Sequence, residues 1–326
     1  MTSRTGGLAP TATSATPAGR AHARPARRPG ALRRRLELTL LLAPALILFV
    51  GMVLAPIGAA VYYGFFKWSG FGSMQWIGIG NYRRALADSV FQHAIGHNLI
   101  IAILSLVLQL PLSIALAMLL NRKMHGRVLL RLVVFAPYVL SEAITAVVWS
   151  LILQPDGLVD QVLKAVGLRS LIHEWLANEN IVLYTLFAVI TWKYIGFGII
   201  LLLAGLQGIP TELREAAAID GASSWQVTRR ITLPLLGPTI RIWVFLSMIG
   251  SLQLFDIPWI MTSGGPANAS ETMATYLLDR GFRRYEFGFG SALAVILFLV
   301  CFLFAVLYQR FALRRDTDGA MTRMVG

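Results

Sequence analysis

Side chains able to do chemistry are few in this 326-residue chain, and their placement bounds what it can do. Asn98, Gln109, Glu142, Lys193, Gln253 and Asp256 all stand within long apolar runs. Ionisable and amide groups cost free energy in hydrocarbon, so in such runs they line a solute path or glue helices together. Lys193 can also neutralise Glu142. Trp149 and Tyr194 add flat aromatic faces nearby. No Ser-His-Asp set or paired-carboxylate acid–base site falls on a coherent element. The phosphate-cradling pattern Gly-x-x-x-x-Gly-Lys-Ser/Thr does not occur, so no ATP site is expected on this chain. His93 and His97 are four apart and could share a helix face, with Asp88 the one further ligand in reach. Two polar histidines ahead of a membrane helix is the simpler reading, and no metal is expected. Cys301 is the one cysteine, which excludes an intrachain disulfide or thiolate metal site.

The best-patterned polar segment is 215–234, between two apolar runs. Glu215 to Asp220 is rich in helix formers. Gly221 can take a conformation closed to other residues and turn the chain. Trp225 to Leu233 can start a second helical piece, and Pro234 limits how it enters the next apolar run. Two short helices about a glycine turn make a compact knob, a shape suited to a partner's cleft.

These segments need a membrane scaffold. The chain is 56% hydrophobic and 14% charged, with mean hydropathy +0.65, against about 25% charged in soluble domains. Six runs can span a bilayer as helices of about 20 residues: Leu38–Phe66, Ile95–Leu120, Leu132–Leu153, Ile181–Leu206, Ile240–Met261 and Gly288–Tyr308. They are too long and too evenly apolar for barrel strands. The fold class is therefore an all-α integral membrane protein with six transmembrane helices. Pro44 and Pro56 should kink the first of them.

Basic residues orient the helices. They crowd into the arm (Arg4 to Arg35), the second-to-third connection (Arg122, Lys123, Arg127, Arg131), the fourth-to-fifth (Arg214, Arg229, Arg230) and the tail (Arg310, Arg314, Arg315, Arg323). The other side has fewer, among them Lys67, Arg83, Arg84, Lys164, Arg169, Arg280, Arg283 and Arg284. The positive-inside rule puts both termini and the 215–234 knob in the cytoplasm of a multi-pass cell-membrane protein. Residues 1–36 read as a disordered basic arm, 37–312 as the six-helix domain with the loop 208–237, and 313–326 as a cytoplasmic tail. Leu38–Phe66 is longer than a signal-peptide core and has no convincing cleavage site, so it reads as an uncleaved helix. The net charge of +13 sits mostly beside membrane helices, where it sets topology and meets anionic lipid; no nucleic-acid partner is expected.

The knob resembles the cytoplasmic EAA loop of ABC-importer permeases. Glu215, Ala216, Ala217, Asp220, Gly221, Ala222, Ile231, Leu233 and Pro234 all fall in that family's register. At roughly 7% per position, nine chance matches have a probability on the order of 10⁻¹⁰ at one register. Thr228 departs from the pattern, standing where Phe is usual. A second resemblance is to the carbohydrate-uptake branch of the family, related to the maltose and glycerol-phosphate permeases. It rests on Thr262-Ser263-Gly264-Gly265-Pro266, Thr272 and Gly288 to Ala294, and on the opening Leu41 to Ala45, Ala55-Pro56, Phe66-Lys67-Trp68 and Ile77 to Tyr82.

The resemblance implies the ABC-importer permease fold and a subunit that moves a sugar without being an enzyme. It implies a second homologous permease, two ATPase subunits carrying ATP and Mg²⁺, and an extracytoplasmic sugar-binding protein. The nine loop residues would couple to the ATPases. Asn98, Glu142, Trp149, Lys193, Tyr194, Gln253 and Asp256 would line the pathway, with Trp149 and Tyr194 stacking on a sugar ring. A non-sugar importer conflicts with the Gly-Gly-Pro segment, and a carrier working without ATP would not need the loop.

Overall fold

A backbone in lipid must satisfy its polar groups within the segment, and long apolar runs meet that demand as helices. The structure, a computed structural model, describes residues 31–122 and 125–313, with the side chains of 31–37, 127 and 313 excepted. Residues 1–30, Lys123 and the tail from 314 onward, with the arginines read from them, lie outside the described residues.

The chain divides into two compact units, Met1–Leu54 and Ala55–Gly326. The first carries the helix Ala31–Phe49, with Pro44 inside it, and the π turn Val50–Leu54. This helix starts within the 1–36 segment read as an arm. The second unit holds the remaining elements and all that follows.

Five helical stretches are long and apolar enough to cross a membrane: Leu38–Tyr63, Ser89–Asn121, Val182–Gln207, Gly237–Thr262 and Phe287–Ala312. The first ends before Phe66, because Phe66–Lys67 pairs as a short antiparallel strand with Gln75–Trp76. Asn81 holds that hairpin in place, its Nδ2 donating to the carbonyls of Gly64 (3.0 Å) and Phe66 (2.9 Å).

The expected third helix, Leu132–Leu153, is corrected. It is two helices, Val128–Val139 and Glu142–Ile152, bent by 100° at Leu140-Ser141, and six crossings result when this pair counts as one span. The apolar composition concealed the break, but its local causes are ordinary. Pro137 lies in the last turn before it. Ser141 then caps the second helix, its Oγ accepting from the Ile144 N–H at 3.2 Å.

Proline shapes other helices as well. The π turns Val50–Leu54, Ser105–Gln109 and Thr228–Thr232 each end two residues before a proline: Pro56, Pro111 and Pro234. Proline has no N–H to give the ladder and its ring crowds the preceding turn, which a widened turn accommodates.

The fourth span is the hub of the second unit. Of its most apolar window 56% is buried, against 28% for the second, fifth and sixth spans. Leu186 and Val189 pack with Ile101, Ala146 and Ile257, while Ile199, Leu202 and Leu206 pack with Ala117, Leu120 and Leu236. Gly196 lets the helix Arg127–Val139 approach closely; a Cβ there would sit 2.5 Å from the Val134 carbonyl oxygen.

Candidate functional site

The 208–237 loop is built as a rigid knob. Pro210 leads into the helix Thr211–Ile219. Gly221 ends it with φ +79, in the left-handed region that glycine enters without a Cβ penalty. The Ala222 N–H donates to the Ala217 carbonyl (2.9 Å) and the Gly221 N–H to that of Ala218 (3.1 Å), the paired bonds of a Schellman stop. Ser223 and Gln226 then form a reciprocal cap that starts Ser224–Val227. Buried Ile209 and Leu236 root the knob in the core formed with Leu202 and Leu206.

The knob's outer surface is open. Glu215 and Ala216 are exposed, Ala217 and Ala222 partly so, and Asp220 and Gly221 exposed. Ile219 is 86% and Trp225 67% exposed, large apolar groups with nothing over them among the described residues. Ile231 and Leu233 are half-buried and Pro234 exposed, at the π turn into the fifth span. Glu215 has no ion pair among the described residues.

The pathway candidates separate into groups. Glu142, Lys193, Tyr194 and Asp256 come together where two spans break. The third breaks at Leu140-Ser141; the fifth stops at Leu252 and resumes at Asp256–Thr262. Tyr194 donates its hydroxyl to Glu142 Oε1, and the Asp256 carboxyl lies close to Glu142. Lys193, 3% exposed, donates to the Leu140 carbonyl at 2.5 Å rather than to a carboxylate. Its ammonium meets the carbonyl that the broken helix leaves without a partner.

Tyr194 also lines a cavity of about 220 Å³ between the second, fourth and fifth spans. Tyr138, Phe197 and Trp243 supply aromatic wall, Ser105 and Gln109 polar wall. Tyr138 stacks on Phe197 at 5.2 Å between ring centres. The aromatic wall was not read from the sequence; Pro137-Tyr138 beside the break was the available signal.

Three candidates lie elsewhere. Asn98 is fully buried, with Nδ2 on the Ser251 carbonyl (2.6 Å) and Oδ1 accepting from the Met273 N–H (2.9 Å). It ties the fifth span to the helix Met273–Leu278 and is engaged there with backbone groups on both sides of its amide. Trp149 lies edge-on to Trp192 and lines a separate apolar groove of about 350 Å³ with Trp175 and Tyr184. Gln253 is exposed at the end of the helix Gly237–Leu252. His97 Nδ1 meets the Glu271 carbonyl oxygen at 2.8 Å, and no group of three metal-ligating side chains occurs among the described residues.

Residues 109–317 match the family described as the binding-protein-dependent transport system inner membrane component. The chain belongs to that family.

This permease is 32% identical over 276 residues to the probable ABC transporter permease protein YurN of Bacillus subtilis, covering 83% of this chain and 94% of that one. It is 33% identical over 270 residues to the multiple sugar-binding transport system permease protein MsmF of Streptococcus mutans, covering 82% and 92%. Its fold matches a bacterial alginate ABC transporter solved in complex with an alginate pentasaccharide-bound periplasmic protein. The TM-score is 0.76 at 24% identity, over 87% of this chain and 96% of that one. The permease is a multi-pass membrane transport subunit of ABC type, not an enzyme; ATP hydrolysis belongs to a separate subunit.

Proposed function

We propose that this permease translocates a sugar across the cell membrane as one half of a two-permease pathway driven by two ATPase subunits. The observation that carries the coupling role is the knob: a helix, a Schellman stop and a capped second helix rooted in the core. Glu215, Ala216, Ala217, Asp220, Gly221, Ala222, Ile231, Leu233 and Pro234 lie along it, and the exposed Ile219 and Trp225 offer apolar contact. A rigid lever of this kind transmits closure of the ATPases as rocking of the helices. Both termini and the knob then face the cytoplasm, and an external binding protein delivers the solute.

The broken-helix cavity is the pathway element of this reading. Irregular backbone at membrane depth is tolerated where it is buried in protein or lines a cavity. Ser105, Gln109 and Tyr194 supply hydrogen-bonding groups there, Glu142 being held by the Tyr194 hydroxyl, and Tyr138 and Tyr194 supply ring faces for stacking. At about 220 Å³ the cavity is smaller than ligand sites of roughly 300–1,000 Å³, which fits a site completed by a second permease. The sugar assignment draws on the Gly264-Gly265-Pro266 segment and on the Streptococcus mutans relative.

Labelled-sugar uptake in sealed vesicles, with each companion subunit omitted in turn, tests the reading. Uptake that needs ATP, the ATPase and the second permease is expected. Sugar movement by this chain alone without ATP would replace the importer with a carrier, and uptake of amino acids only would overturn the sugar. A cysteine at Ser223, in a Cys301→Ser background, should resist an impermeant thiol reagent in intact cells; labelling there would invert the topology.

A further inference from the structure

Behind the knob, on the side facing the membrane helices, lies a further cavity of about 250 Å³, to which the proposed coupling and translocation roles assign no ligand. Its walls come from three places: the end of the second span, the end of the fourth, and the two helices of the knob. Arg122, at the end of the second span, and Arg214, in the first helix of the knob, both line it, and Asn121, Ser224, Thr228 and Thr232 also line it. No acidic side chain lines it. Glu212, Glu215 and Asp220 are on the same loop but outside this lining, and neither guanidinium has an ion pair among the described residues. Met118 and Leu206 make the end nearest the spans apolar.

Two guanidinium forks and several hydroxyls lining one cavity, with no carboxylate among the lining residues, suit a tetrahedral oxyanion. We propose that this cavity binds the phosphate group of an anionic ligand, which thereby links the knob to the second span. The phosphate can come from a phospholipid headgroup, whose chain would leave past Met118 and Leu206, or from a soluble phosphate. Half-buried Thr228 lines the space. The phenylalanine usual at this place in the loop pattern would fill the polar wall; threonine leaves room and contributes a hydroxyl.

The test is saturable ligand binding to the full chain in detergent, followed by native mass spectrometry and by thermal shift. One arm adds phosphatidylglycerol with phosphatidylcholine, whose headgroup phosphate is neutralised by its own choline, as the net-neutral comparison; the other adds inorganic phosphate. Saturation with phosphatidylglycerol alone identifies a lipid site, and saturation with inorganic phosphate identifies a soluble-ligand site. The paired substitution Arg122→Gln with Arg214→Gln should weaken binding by about tenfold or more, since it removes both charge-assisted contacts. Thr228→Phe should weaken it without changing any charge. Arg229→Gln, which removes an equal charge outside this cavity, should leave it intact. The proposal fails if neither probe saturates, if Thr228→Phe binds as the unsubstituted chain does, or if Arg229→Gln lowers binding as much as the paired substitution. None of these readouts involves sugar or ATP, so the proposed transport role stands or falls separately.

Discussion

Lys193 reaches from the middle of the fourth span to the carbonyl of Leu140, 2.5 Å away, and holds the break in the third span. An ammonium 3% exposed within a membrane helix is tolerated because the broken helix leaves an acceptor there. Lys193 makes no hydrogen bond to Glu142, whose Oε1 accepts from the Tyr194 hydroxyl, but its charge still acts on that carboxyl. Lys193→Met keeps the stem and removes the donor. Thermal unfolding of the full chain in detergent should show a loss of about 1–3 kcal/mol from the orphaned carbonyl. An unchanged midpoint would mean that the bond does not hold the break.

Gly196 makes another contact between these two spans. Gly196→Val would place side-chain carbon against the Val134 carbonyl and the Phe135 backbone, neither of which is the loose end of a side chain. Overpacking of this kind costs about 1–3 kcal/mol or more. A lower melting temperature with normal membrane insertion is the expected result, while Gly196→Ala should cost less.

On the face opposite the knob, stability should depend on pH at both extremes. Asp88 caps the helix Ser89–Leu104 and accepts from Tyr276 Oη at 2.6 Å, with Arg280 Nη2 3.6 Å away. Burial pushes its carboxyl up, but the bonds from Tyr276 and the Phe91 and Val90 N–H groups, with the Arg280 charge, outweigh it and leave the pKa lowered. A lowered folded pKa stabilises above the unfolded value, and that contribution is lost as pH falls through the folded one. Stability should therefore decline below about pH 4, and Asp88→Asn should flatten that acid arm. Burial and the bond to Asp88 push Tyr276 up to about 12. Its contribution is present below about pH 10 and lost as pH rises through the folded value, so Tyr276→Phe should flatten the alkaline arm. Melting temperature against pH for the three proteins decides both.

Glu271 predicts the reverse of a helpful charge. It is 5% exposed, burial raises its pKa, and its Oε1 accepts from Thr275 Oγ1 at 2.7 Å. With a raised folded pKa, its contribution is present below the unfolded value and lost as pH rises through the folded one. Glu271→Gln keeps an acceptor for Thr275 and carries no charge to desolvate. It should melt above the unsubstituted protein at about pH 8 and lose that advantage near pH 4. Equal melting at both pH values would show that the buried carboxyl is not strained.

The knob predicts separation of folding from coupling. Gly221→Pro fixes φ near −65° where the chain needs +79, and Glu215→Lys reverses an exposed charge. Reconstituted with its companion subunits, either variant should insert normally and lose solute-stimulated ATPase activity. For Glu215→Lys a loss of about 2–5 kcal/mol of docking free energy is expected. Normal stimulation in both would remove the knob from the coupling path.

Much of this was legible in the order of residues. Apolar length alone determined the spans, since lipid offers the backbone no alternative partner. The knob was legible because its devices are local: helix formers, a glycine for a left-handed stop, and a cap a few residues on. The third-span break was half legible, in Pro137 and Ser141, but Leu132 to Leu153 reads as continuous because hydropathy does not record direction.

What only the tertiary structure decided is which polar groups meet. Asn98 and Lys193 carry equally conspicuous polarity in apolar runs, yet both are spent on backbone atoms of neighbouring elements: Ser251 and Met273 for one, Leu140 for the other. Trp149 and Tyr194 were alike as aromatic candidates and line different cavities. A hydrogen bond across 53 residues depends on the rotation of one helix about its axis and on the angle of another. Those follow from packing at places such as Gly196 and the 100° bend, which are properties of helix pairs rather than of any stretch of sequence.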